Sequence, residues 1–361
     1  MQNIRNINLA SLDFCSQFNI ISGANGSGKT SILEAIFLLG SGRSFRTTGI
    51  RDIIQMGQDK ITVFGKVGYT DNPCKSSIKL GLEKSRNNIT VIHRNEIKCN
   101  SINEIARDLP LQIINSDSFS ILEAGPQVRR QFLDWGMFHV EPSFFRVWQQ
   151  YKKVLHQRNA LLKQIGSKEQ RSIEKQVWDN ELCIIGEKLD NYRYNYVDKI
   201  KPLILQQIEY LLGLKAVEIS YYKGWRQNLS LFEALEENKK IDALKGITHK
   251  GPHRADIYIT VQGMEAKDLL SRGQLKIFIC GMLLARANYL YQMLRKKPIF
   301  LIDDLVSELD KTAINLLLEN LITQNSQIIL TGIETSSVEL LLPASSTLKK
   351  FHLIKGCLQE S

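Results

Sequence analysis

The chain carries the run Gly23-Ala24-Asn25-Gly26-Ser27-Gly28-Lys29-Thr30, which fits the phosphate-binding loop pattern G-x-x-x-x-G-K-[ST] at every fixed position. The run follows Phe18–Ser22, which predicts a short buried strand, and precedes Ser31–Leu39, which predicts an amphipathic helix. Glycines allow the backbone to approach phosphate oxygens, and the start of a helix adds a positive partial charge there. The combination of strand, loop and helix favours a phosphate site over an ordinary glycine-rich turn.

The individual positions of this loop predict a division of roles. Lys29 would reach the β- and γ-phosphates of a bound nucleotide, and the Thr30 hydroxyl would bind Mg²⁺. Backbone N–H groups between Gly23 and Thr30 would surround the phosphate oxygens, and Ser31 extends this set by one position into the helix. The predicted ligand is therefore a nucleoside triphosphate with its Mg²⁺.

The composition predicts a globular protein of two lobes with a polyanionic partner. The chain has 361 residues, of which 43% are hydrophobic and eight are proline. A chain of this length usually folds around more than one hydrophobic core. The formal net charge of +10 favours nucleic acid or an acidic membrane face as the partner, although an ordinary basic cytosolic protein has the same balance.

The cysteines and the apolar runs predict a cytoplasmic location. Six cysteines are present without a C-x-x-C pair or zinc-ligand spacing, which favours free thiols in a reducing compartment. Residues 1–6 contain no apolar leader segment, and the longest apolar run, 277–285, is too short to cross a bilayer. Any membrane role would need a partner subunit.

Hydrophobic periodicity divides the chain into an α/β part and a helical part. We predict a head lobe from residues 1–118 and 247–361 and a mostly helical second lobe from residues 119–246. Apolar residues from Phe144 and from Trp178 recur at steps of three and four, which predicts an antiparallel helical hairpin of about three heptads per arm, with a polar turn at 166–170. The outer face of this hairpin is either a solvated surface or a functional one, and it is predicted to carry Arg146, Lys152, Lys153, His156, Arg158 and Lys163.

The segment Ile299-Phe300-Leu301-Ile302-Asp303-Asp304 predicts the second half of the nucleotide site. Apolar residues in sequence are typical of a parallel strand that is buried on both faces, and the carboxyl end of such a strand is where α/β sheets bind ligands. Asp303 would complete the Mg²⁺ shell, and Asp304 would orient or deprotonate the attacking water. On a regular strand the two carboxylates would point to opposite faces. The alternative is an acidic turn without a ligand.

The segment Leu270-Ser271-Arg272-Gly273-Gln274 precedes a long apolar helix. A Ser-x-Gly element at a helix start presents a hydroxyl and free N–H groups to an anion, although a plain helix cap has the same composition. The segment lies ahead of the Asp303 strand, and Ser307-Glu308-Leu309-Asp310 follows that strand directly.

The order of these motifs resembles the ABC-type ATPase head, and the long helical insert between the first two resembles the SMC branch of that superfamily. The chain is most similar to the RecF family, with a resemblance that covers nearly its whole length. The shared blocks are the phosphate loop, Gly42-Arg43-Ser44-Phe45-Arg46, Arg129-Arg130-Gln131-Phe132-Leu133-Asp134-Trp135-Gly136, Gly251-Pro252-His253-Arg254-Ala255-Asp256, Leu270-Ser271-Arg272-Gly273-Gln274-Leu275-Lys276 and Leu301-Ile302-Asp303-Asp304.

This resemblance implies the fold, the ligands and the partners. The implied fold is α/β, an ABC-type P-loop ATPase head with a mostly helical lobe inserted between the phosphate loop and the signature motif. The resemblance implies ATP with Mg²⁺ and an ATP-dependent homodimer, in which Ser271, Gly273 and Gln274 act in trans on nucleotide at Lys29 of the other subunit. Glu308 and Asp310 would line the same dimer seam.

The family's function implies a role in DNA metabolism. Its members bind DNA and support RecR and RecO in loading RecA at gaps, with a part in DNA replication restart, recombinational repair and the SOS response. The resemblance therefore implies gapped or duplex DNA, bound independently of sequence, and RecR with or without RecO as partners.

Departures from the superfamily pattern modify these expectations. Asp304 stands where many ABC heads have Glu, and the shorter carboxylate predicts slow hydrolysis. Thr331-Gly332 ends a predicted strand where many heads carry a switch histidine, and Asn115 and Asp117 are the candidates for the glutamine-loop residue. His253 and Arg254 would contact DNA or nucleotide or form a strand-entry turn, and Arg43 and Arg46 would face DNA, the partner subunit or solvent.

Three functions are compatible with these features. The first is a DNA-bound ATPase switch, in which ATP joins two heads that clamp DNA and slow hydrolysis releases it. The second is an ABC transporter-type ATPase subunit. The basic helical insert argues against this function. The third is an ATP-dependent DNA clamp that does not hydrolyse its nucleotide.

Overall fold

The structure is a computed structural model that describes residues 1–68, 76–163, 170–333 and 336–360. The polar turn that the sequence predicts at 166–170 lies outside the described residues up to position 169, and Cys74 also lies outside them. The described chain forms two compact units, Met1–Phe119 with Arg295–Ser361, and Ser120–Leu294.

The secondary structure alternates strands and helices along the described chain. The strands are β1 (Gln2–Ile4), β2 (Ile7–Leu9), β3 (Phe18–Ser22), β4 (Lys60–Val67), β5 (Ile78–Ser85), β6 (Thr90–Arg94), β7 (Ile97–Lys98), β8 (Leu111–Ile114), β9 (Val217–Tyr222), β10 (Asp256–Val261), β11 (Met264–Glu265), β12 (Ile299–Asp303), β13 (Ile328–Gly332), β14 (Leu348–Ile354) and β15 (Cys357–Glu360). The helices are α1 (Lys29–Ser41), α2 (Ile102–Ala106), α3 (Pro126–Val140), α4 (Phe144–Lys163), α5 (Gln170–Leu212), α6 (Leu231–Glu237), α7 (Lys239–Lys245), α8 (Ala266–Leu269), α9 (Arg272–Leu294), α10 (Leu305–Glu308), α11 (Lys311–Gln324) and α12 (Ser336–Glu339).

The first unit is built on a mostly parallel sheet with the strand order β15-β14-β3-β13-β12-β8. The pairs β14/β3, β3/β13, β13/β12 and β12/β8 are parallel, and the hairpin β14/β15 is antiparallel. Strand β13 therefore lies between β3, which precedes the phosphate loop, and β12, which ends at Asp303. Because parallel strands end at the same edge of a sheet, these carboxyl ends lie side by side.

A second, antiparallel sheet completes the first unit, in the order β2-β1-β4-β5-β6-β7. Helix α1 contacts β4 and β5 of this sheet and β12 and β13 of the parallel sheet. It is therefore covered nearly all round and lacks the exposed polar face of the amphipathic helix that the sequence predicts; Ile32, Leu33 and Leu38 are fully buried. This two-sided burial holds the start of α1, and with it the phosphate loop, in one position.

The second unit combines helices with a small sheet of order β11-β10-β9. Strand β10 pairs with β9 over six residue pairs, and α5 packs against α4 and α9. Residues 247–294 consequently belong to this unit, and the structure moves the predicted boundary from 246/247 to 294/295. The reason is non-local, since β10 and α9 find their partners in residues that come earlier in the chain.

The helical hairpin differs from its prediction in length and in one charged residue. Helix α4 has 20 residues, but α5 has 43, about twice the predicted arm. Arg158 was predicted on the outer face, yet it is fully buried, with Nε 2.6 Å from Asp179 Oδ1 and Nη1 2.8 Å from Asp242 Oδ2. The prediction was wrong at this position because the residue type alone does not distinguish an arginine that is buried and paired with carboxylates from one that is exposed to solvent.

Candidate nucleotide-binding site

The phosphate loop adopts a backbone that glycine alone tolerates at two positions. Gly23 has φ 153° and Gly28 has φ 109°. A Cβ on Gly23 would lie 2.4 Å from Leu353 O, and one on Gly28 would lie 2.8 Å from Asn6 Oδ1. These two glycines therefore allow the loop to pack closely against its support, while the tip of the loop, Ala24 to Gly26, is exposed.

Lys29 is folded back onto its own loop. Its Nζ donates to Gly23 O at 2.8 Å and to Ala24 O at 3.0 Å, and the residue is 8% exposed. Burial lowers the pKa of Lys29, while the nearby carboxylates of Asp304 and Asp303 act in the opposite direction. The ammonium thus lies in the centre of the loop, where phosphate oxygens can replace the two carbonyl acceptors.

Thr30 and Asp303 meet at the sheet edge, as the two halves of the motif predict. Thr30 Oγ1 donates to Asp303 Oδ1 at 3.0 Å, although 273 positions separate the residues in the chain. Mg²⁺ is usually bound by one or two protein oxygens together with phosphates and waters. A hydroxyl and a carboxylate at this distance fit that requirement, so Thr30 and Asp303 would hold Mg²⁺ here.

Thr331 is a site residue that sequence reasoning did not assign. It is fully buried at the end of β13, its Oγ1 donates to Asp303 Oδ1 at 2.6 Å, and the same Oγ1 accepts from Asp304 N at 3.2 Å. The hydroxyl therefore links both aspartates. Thr331 could have been assigned from its position at the end of β13, the strand between β3 and β12. Only the order of strands in the sheet reveals that position.

Asp304 does not continue the strand, which corrects the expectation of opposite faces. Strand β12 ends at Asp303, and Asp304 has φ 50° and ψ 50° at the start of α10. The alternation of side chains applies to extended backbone alone, so the carboxylate of Asp304 is directed by the turn. A non-glycine residue in the left-handed region is uncommon and concentrates at functional sites.

Ser27 carries an observation that favours a phosphate ligand. The residue is 5% exposed, and its Oγ has no hydrogen-bond partner among the described residues. A buried hydroxyl without a partner costs about 1–3 kcal/mol unless a ligand or water satisfies it. The loop therefore has an unsatisfied hydroxyl, two close-packed glycines and a central ammonium, which together fit the phosphates of a nucleotide.

The tips of two β-hairpins contact the phosphate loop and the start of α1. At the tip of the β1–β2 hairpin, Asn6 Nδ2 donates to Gly26 O at 3.1 Å, and Asn6 Oδ1 accepts from Ser31 Oγ at 3.5 Å. At the tip of the β14–β15 hairpin, Gly356 N donates to Ser27 O at 2.9 Å. Neither contact was predicted, because both hairpin tips look like ordinary turns in the sequence.

The Ser-x-Gly-Gln turn begins α9 in the second unit. Ser271, Arg272, Gly273 and Gln274 are all exposed. Ser271 N donates to Gln274 Oε1 at 3.0 Å, and Gln274 N donates to Ser271 Oγ at 3.3 Å, which is a reciprocal capping box. The turn therefore caps its helix, as one of the two alternatives predicts, and its residues lie at the surface; binding of an anion by this turn stays a prediction.

Comparison with known proteins places the chain in a family. The profile of the RecF/RecN/SMC N-terminal domain matches residues 1–351. A protein of Pseudomonas entomophila strain L48 named DNA replication and repair protein RecF is 38% identical over 356 residues, which cover 98% of this chain and 95% of that protein. The chain belongs to the RecF family.

Solved structures agree with this assignment. A structure of the recombination mediator protein RecF with ATP, in the RecFOR pathway, superposes with a TM-score of 0.87 at 26% identity, covering 100% of this chain and 95% of that one. An Smc head bound to the C-terminal winged-helix domain of ScpA superposes with a TM-score of 0.59 at 14% identity, covering 99% and 94%, and shows a shared fold. The predicted α/β fold of an ABC-type ATPase head is thereby confirmed.

Two of the sequence blocks on which the resemblance rests, 129–136 and 251–256, contact each other within the second unit. Arg129 pairs with Asp256 through two bonds of 2.7 and 2.9 Å, and Arg130 Nη1 donates to Ala255 O at 2.7 Å. His253 belongs to the second of these blocks, and its ring nitrogens contact residues outside both: Nδ1 is 2.7 Å from Tyr151 Oη and Nε2 is 2.9 Å from Thr248 O. His253 thus belongs to the turn before β10, in agreement with the strand-entry alternative.

The remaining predicted positions lie as follows. Arg254, Arg43 and Arg46 are exposed, so their alternatives stay open. Asn115 follows β8 at the same sheet edge as Asp303, and its Oδ1 accepts from Ser118 N at 3.0 Å. Asp310 Oδ1 accepts from Ala313 N at 2.8 Å and so caps α11. Asn25, Asp117 and Ser307 are exposed, and Glu308 is half-buried.

One helix of this RecF-family chain passes a membrane-span criterion of length and composition among the described residues. This helix is α9, Arg272–Leu294, and two-thirds of its apolar stretch is buried inside the protein. A core helix of a soluble protein passes the same test, and α9 packs against α5 and α3.

The half-buried His253 predicts a pH dependence of stability. Burial, reinforced by Arg254 and Arg130, lowers the pKa of His253 to about 4. The unfolded chain binds a proton below about pH 6.5, while the folded chain stays neutral there, so the free energy of unfolding falls as pH drops from 6.5 toward 4. At pH 5 we expect a loss of about 2 kcal/mol relative to pH 7.5 from this group.

Thermal unfolding of the native chain and of His253→Gln at both pH values measures this loss. Glutamine does not titrate, so the fall in melting temperature between pH 7.5 and pH 5 should be smaller for the variant. An identical fall for both proteins would show that His253 does not stay neutral in the fold.

Proposed function

We propose that this chain is an ATP-dependent DNA-binding switch of recombinational gap repair, replication restart and the SOS response. The observation that carries the proposal is the meeting of Lys29, Thr30 and Asp303 at one sheet edge, around a buried hydroxyl that lacks a partner. Membership of the RecF family supports the DNA-repair role over that of a transporter subunit. The related structure with ATP supports ATP as the nucleotide.

The residues of the loop would exchange internal bonds for bonds to phosphate. Lys29 Nζ would leave the carbonyl oxygens of Gly23 and Ala24 and bind the β- and γ-phosphates, while Ser27 Oγ would gain its missing partner. Thr30 and Asp303 would hold Mg²⁺, which neutralises phosphate charge. Asp304, next to this centre in the turn, would accept a proton from the attacking water.

The signature turn would complete the site in trans. Ser271 and Gln274 hold each other through the capping box, and both are exposed, so a second copy of the chain can reach them. Gly273 has no side chain, which allows close approach of a phosphate to the start of the 23-residue helix α9. Two such heads would close around two nucleotides, with Ser271, Gly273 and Gln274 of each facing the γ-phosphate on the other.

The closed dimer would bind DNA through its phosphates. A net charge of +10 supports binding that depends strongly on salt and little on sequence. We propose gapped or duplex DNA as the ligand, RecR and RecO as partners in loading RecA, and the cytoplasm as the location. Hydrolysis of ATP would be slow and would release the dimer.

The test measures assembly and DNA affinity together. We expect sedimentation velocity to show a monomer without nucleotide and a dimer with ATP and Mg²⁺. Fluorescence anisotropy with a labelled gapped duplex should show tighter binding under the dimer conditions. The proposal fails if ATP changes neither the dimer population nor the DNA affinity.

A further inference from the structure

Helix α4 presents a face whose charges are all of one sign. Its sequence, Phe144–Lys163, contains no aspartate or glutamate. The charged side chains Arg146, Lys152, Lys153 and Lys163 are exposed, and His156 is exposed among them. The buried cation of this helix, Arg158, faces the opposite side and is neutralised there.

The exposed cations follow one side of the helix. At 100° per residue, the buried Val147, Tyr151 and Val154 fall within one narrow arc, and Arg146, Lys153 and Lys163 fall within the opposite one. With a rise of about 1.5 Å per residue, the stripe from Arg146 to Lys163 extends over about 25 Å. This length corresponds to about seven base pairs of duplex DNA.

The charges on this stripe are not compensated within the part of the chain that the structure describes. Arg146, Lys153 and Lys163 make no ion pair with any described residue. Lys152 is held over the ring of Trp148, with Nζ 4.3 Å from the ring centroid. Like charges at neighbouring helical positions destabilise a helix slightly, and an anionic ligand would reverse that effect.

The chemistry of the stripe favours a polyphosphate backbone over other anionic surfaces. Gln149, Gln150 and Gln157 are exposed between the cations, and amide side chains donate to phosphate oxygens alongside Lys and Arg. Within the described residues, the exposed large hydrophobic side chains lie outside α4, so the stripe lacks the apolar anchors of a membrane-binding or protein-binding helix.

We propose that the α4 stripe, Arg146 to Lys163, is a DNA-contacting surface of this chain. It positions the phosphate backbone and does not distinguish bases. This assignment rests on the proposed function, because it requires that the chain binds DNA.

The test compares two pairs of adjacent lysines. Lys152→Glu/Lys153→Glu alters the stripe, and Lys239→Glu/Lys240→Glu introduces the same change of charge on the exposed side of α7 in the same unit. Dissociation constants for a gapped duplex are measured with ATP between 50 and 200 mM salt. ATP affinity and circular dichroism of each variant separate a loss of DNA binding from a loss of nucleotide binding or folding.

We expect the α4 variant to bind DNA about 10-fold more weakly, with a salt slope smaller by about 2. The α7 variant should change the affinity by less than about threefold, and Lys152→Arg/Lys153→Arg should retain native affinity. Equal losses in the α4 and α7 variants would overturn the assignment, because they would reflect net charge alone.

Two further outcomes also contradict the assignment and can be told apart. If the native chain binds DNA and the α4 variant binds it equally well, the stripe serves another partner, such as an acidic protein or an anionic vesicle, and the proposed function stands. If the native chain binds no DNA with ATP, the proposed function is wrong together with the assignment.

Discussion

Asp304→Asn is expected to release phosphate from ATP at least about 100-fold more slowly than the native chain, because a general base typically contributes 10²–10⁴-fold. The amide cannot accept the proton of the attacking water. ATP affinity and the ATP-dependent dimer should persist, since the phosphate loop, Thr30 and Asp303 are untouched. The variant should therefore be trapped in the DNA-bound state.

The backbone makes asparagine the appropriate replacement at this position. Asp304 has φ 50° and ψ 50°, a conformation that asparagine adopts more readily than other non-glycine residues. The bonds from Asp304 N to Thr331 O and Oγ1 involve the main chain and survive the substitution. A loss of activity can thus be assigned to the carboxylate and not to a distorted turn.

Steady-state phosphate release measures this effect, with Asp59→Asn as the control. Asp59 is exposed before β4, so the same chemical change there should leave the rate unchanged. Equal rates for the native chain and Asp304→Asn would show that Asp304 is not the base. If the native chain releases no phosphate above background, it is a clamp that does not hydrolyse its nucleotide.

A mixture of Lys29→Met and Ser271→Arg chains is expected to form an ATP-dependent dimer that neither variant forms alone. Lys29→Met removes a buried ammonium from the loop, which should weaken ATP binding by about 100-fold or more. Ser271→Arg places a long side chain where the γ-phosphate of the partner would lie. The heterodimer combines an intact loop from one chain with an intact turn from the other, so it contains one complete site.

The fold should tolerate both substitutions. Ser271 is exposed, so the arginine can extend into solvent in the monomer. Lys29 donates to two carbonyl oxygens of its own loop, and Met has a side chain of similar length without that charge. Sedimentation velocity of the equimolar mixture with ATP measures the dimer fraction.

The double variant Lys29→Met/Ser271→Arg provides the matched control. When it is mixed with either single variant, no combination of chains yields an intact loop facing an intact turn. Dimer formation in the first mixture and not in these two would support the trans arrangement. Absence of a dimer in the first mixture, with a native chain that does dimerise, would contradict it.

Local patterns predicted the elements that carry the site. The apolar run before the phosphate loop forms β3, Phe18–Ser22, and the run after it lies within α1, Lys29–Ser41. The apolar run that ends in aspartate forms β12, Ile299–Asp303. These predictions were accurate because burial on one or both faces determines the spacing of apolar residues within a short segment.

Contacts between distant segments were the source of the errors. No local pattern indicated that Arg158 is neutralised by Asp179 and Asp242, or that β10 pairs with β9 so that residues 247–294 belong to the second unit. The turn at Asp304 was likewise invisible, because an acidic pair after a strand is compatible with extended and left-handed backbone alike.

The amino-acid sequence alone determined the motifs, the class of ligand and the family, since these depend on residue types at short, regular spacings. The tertiary structure decided which side chains come within hydrogen-bonding distance of one another. Strand β13 lies between β3 and β12, and so it brings Thr331 within 2.6 Å of Asp303 Oδ1, beside Thr30. Hydrogen bonds of this kind depend on the order of strands in a sheet, which is set by packing over the whole unit and by no single segment.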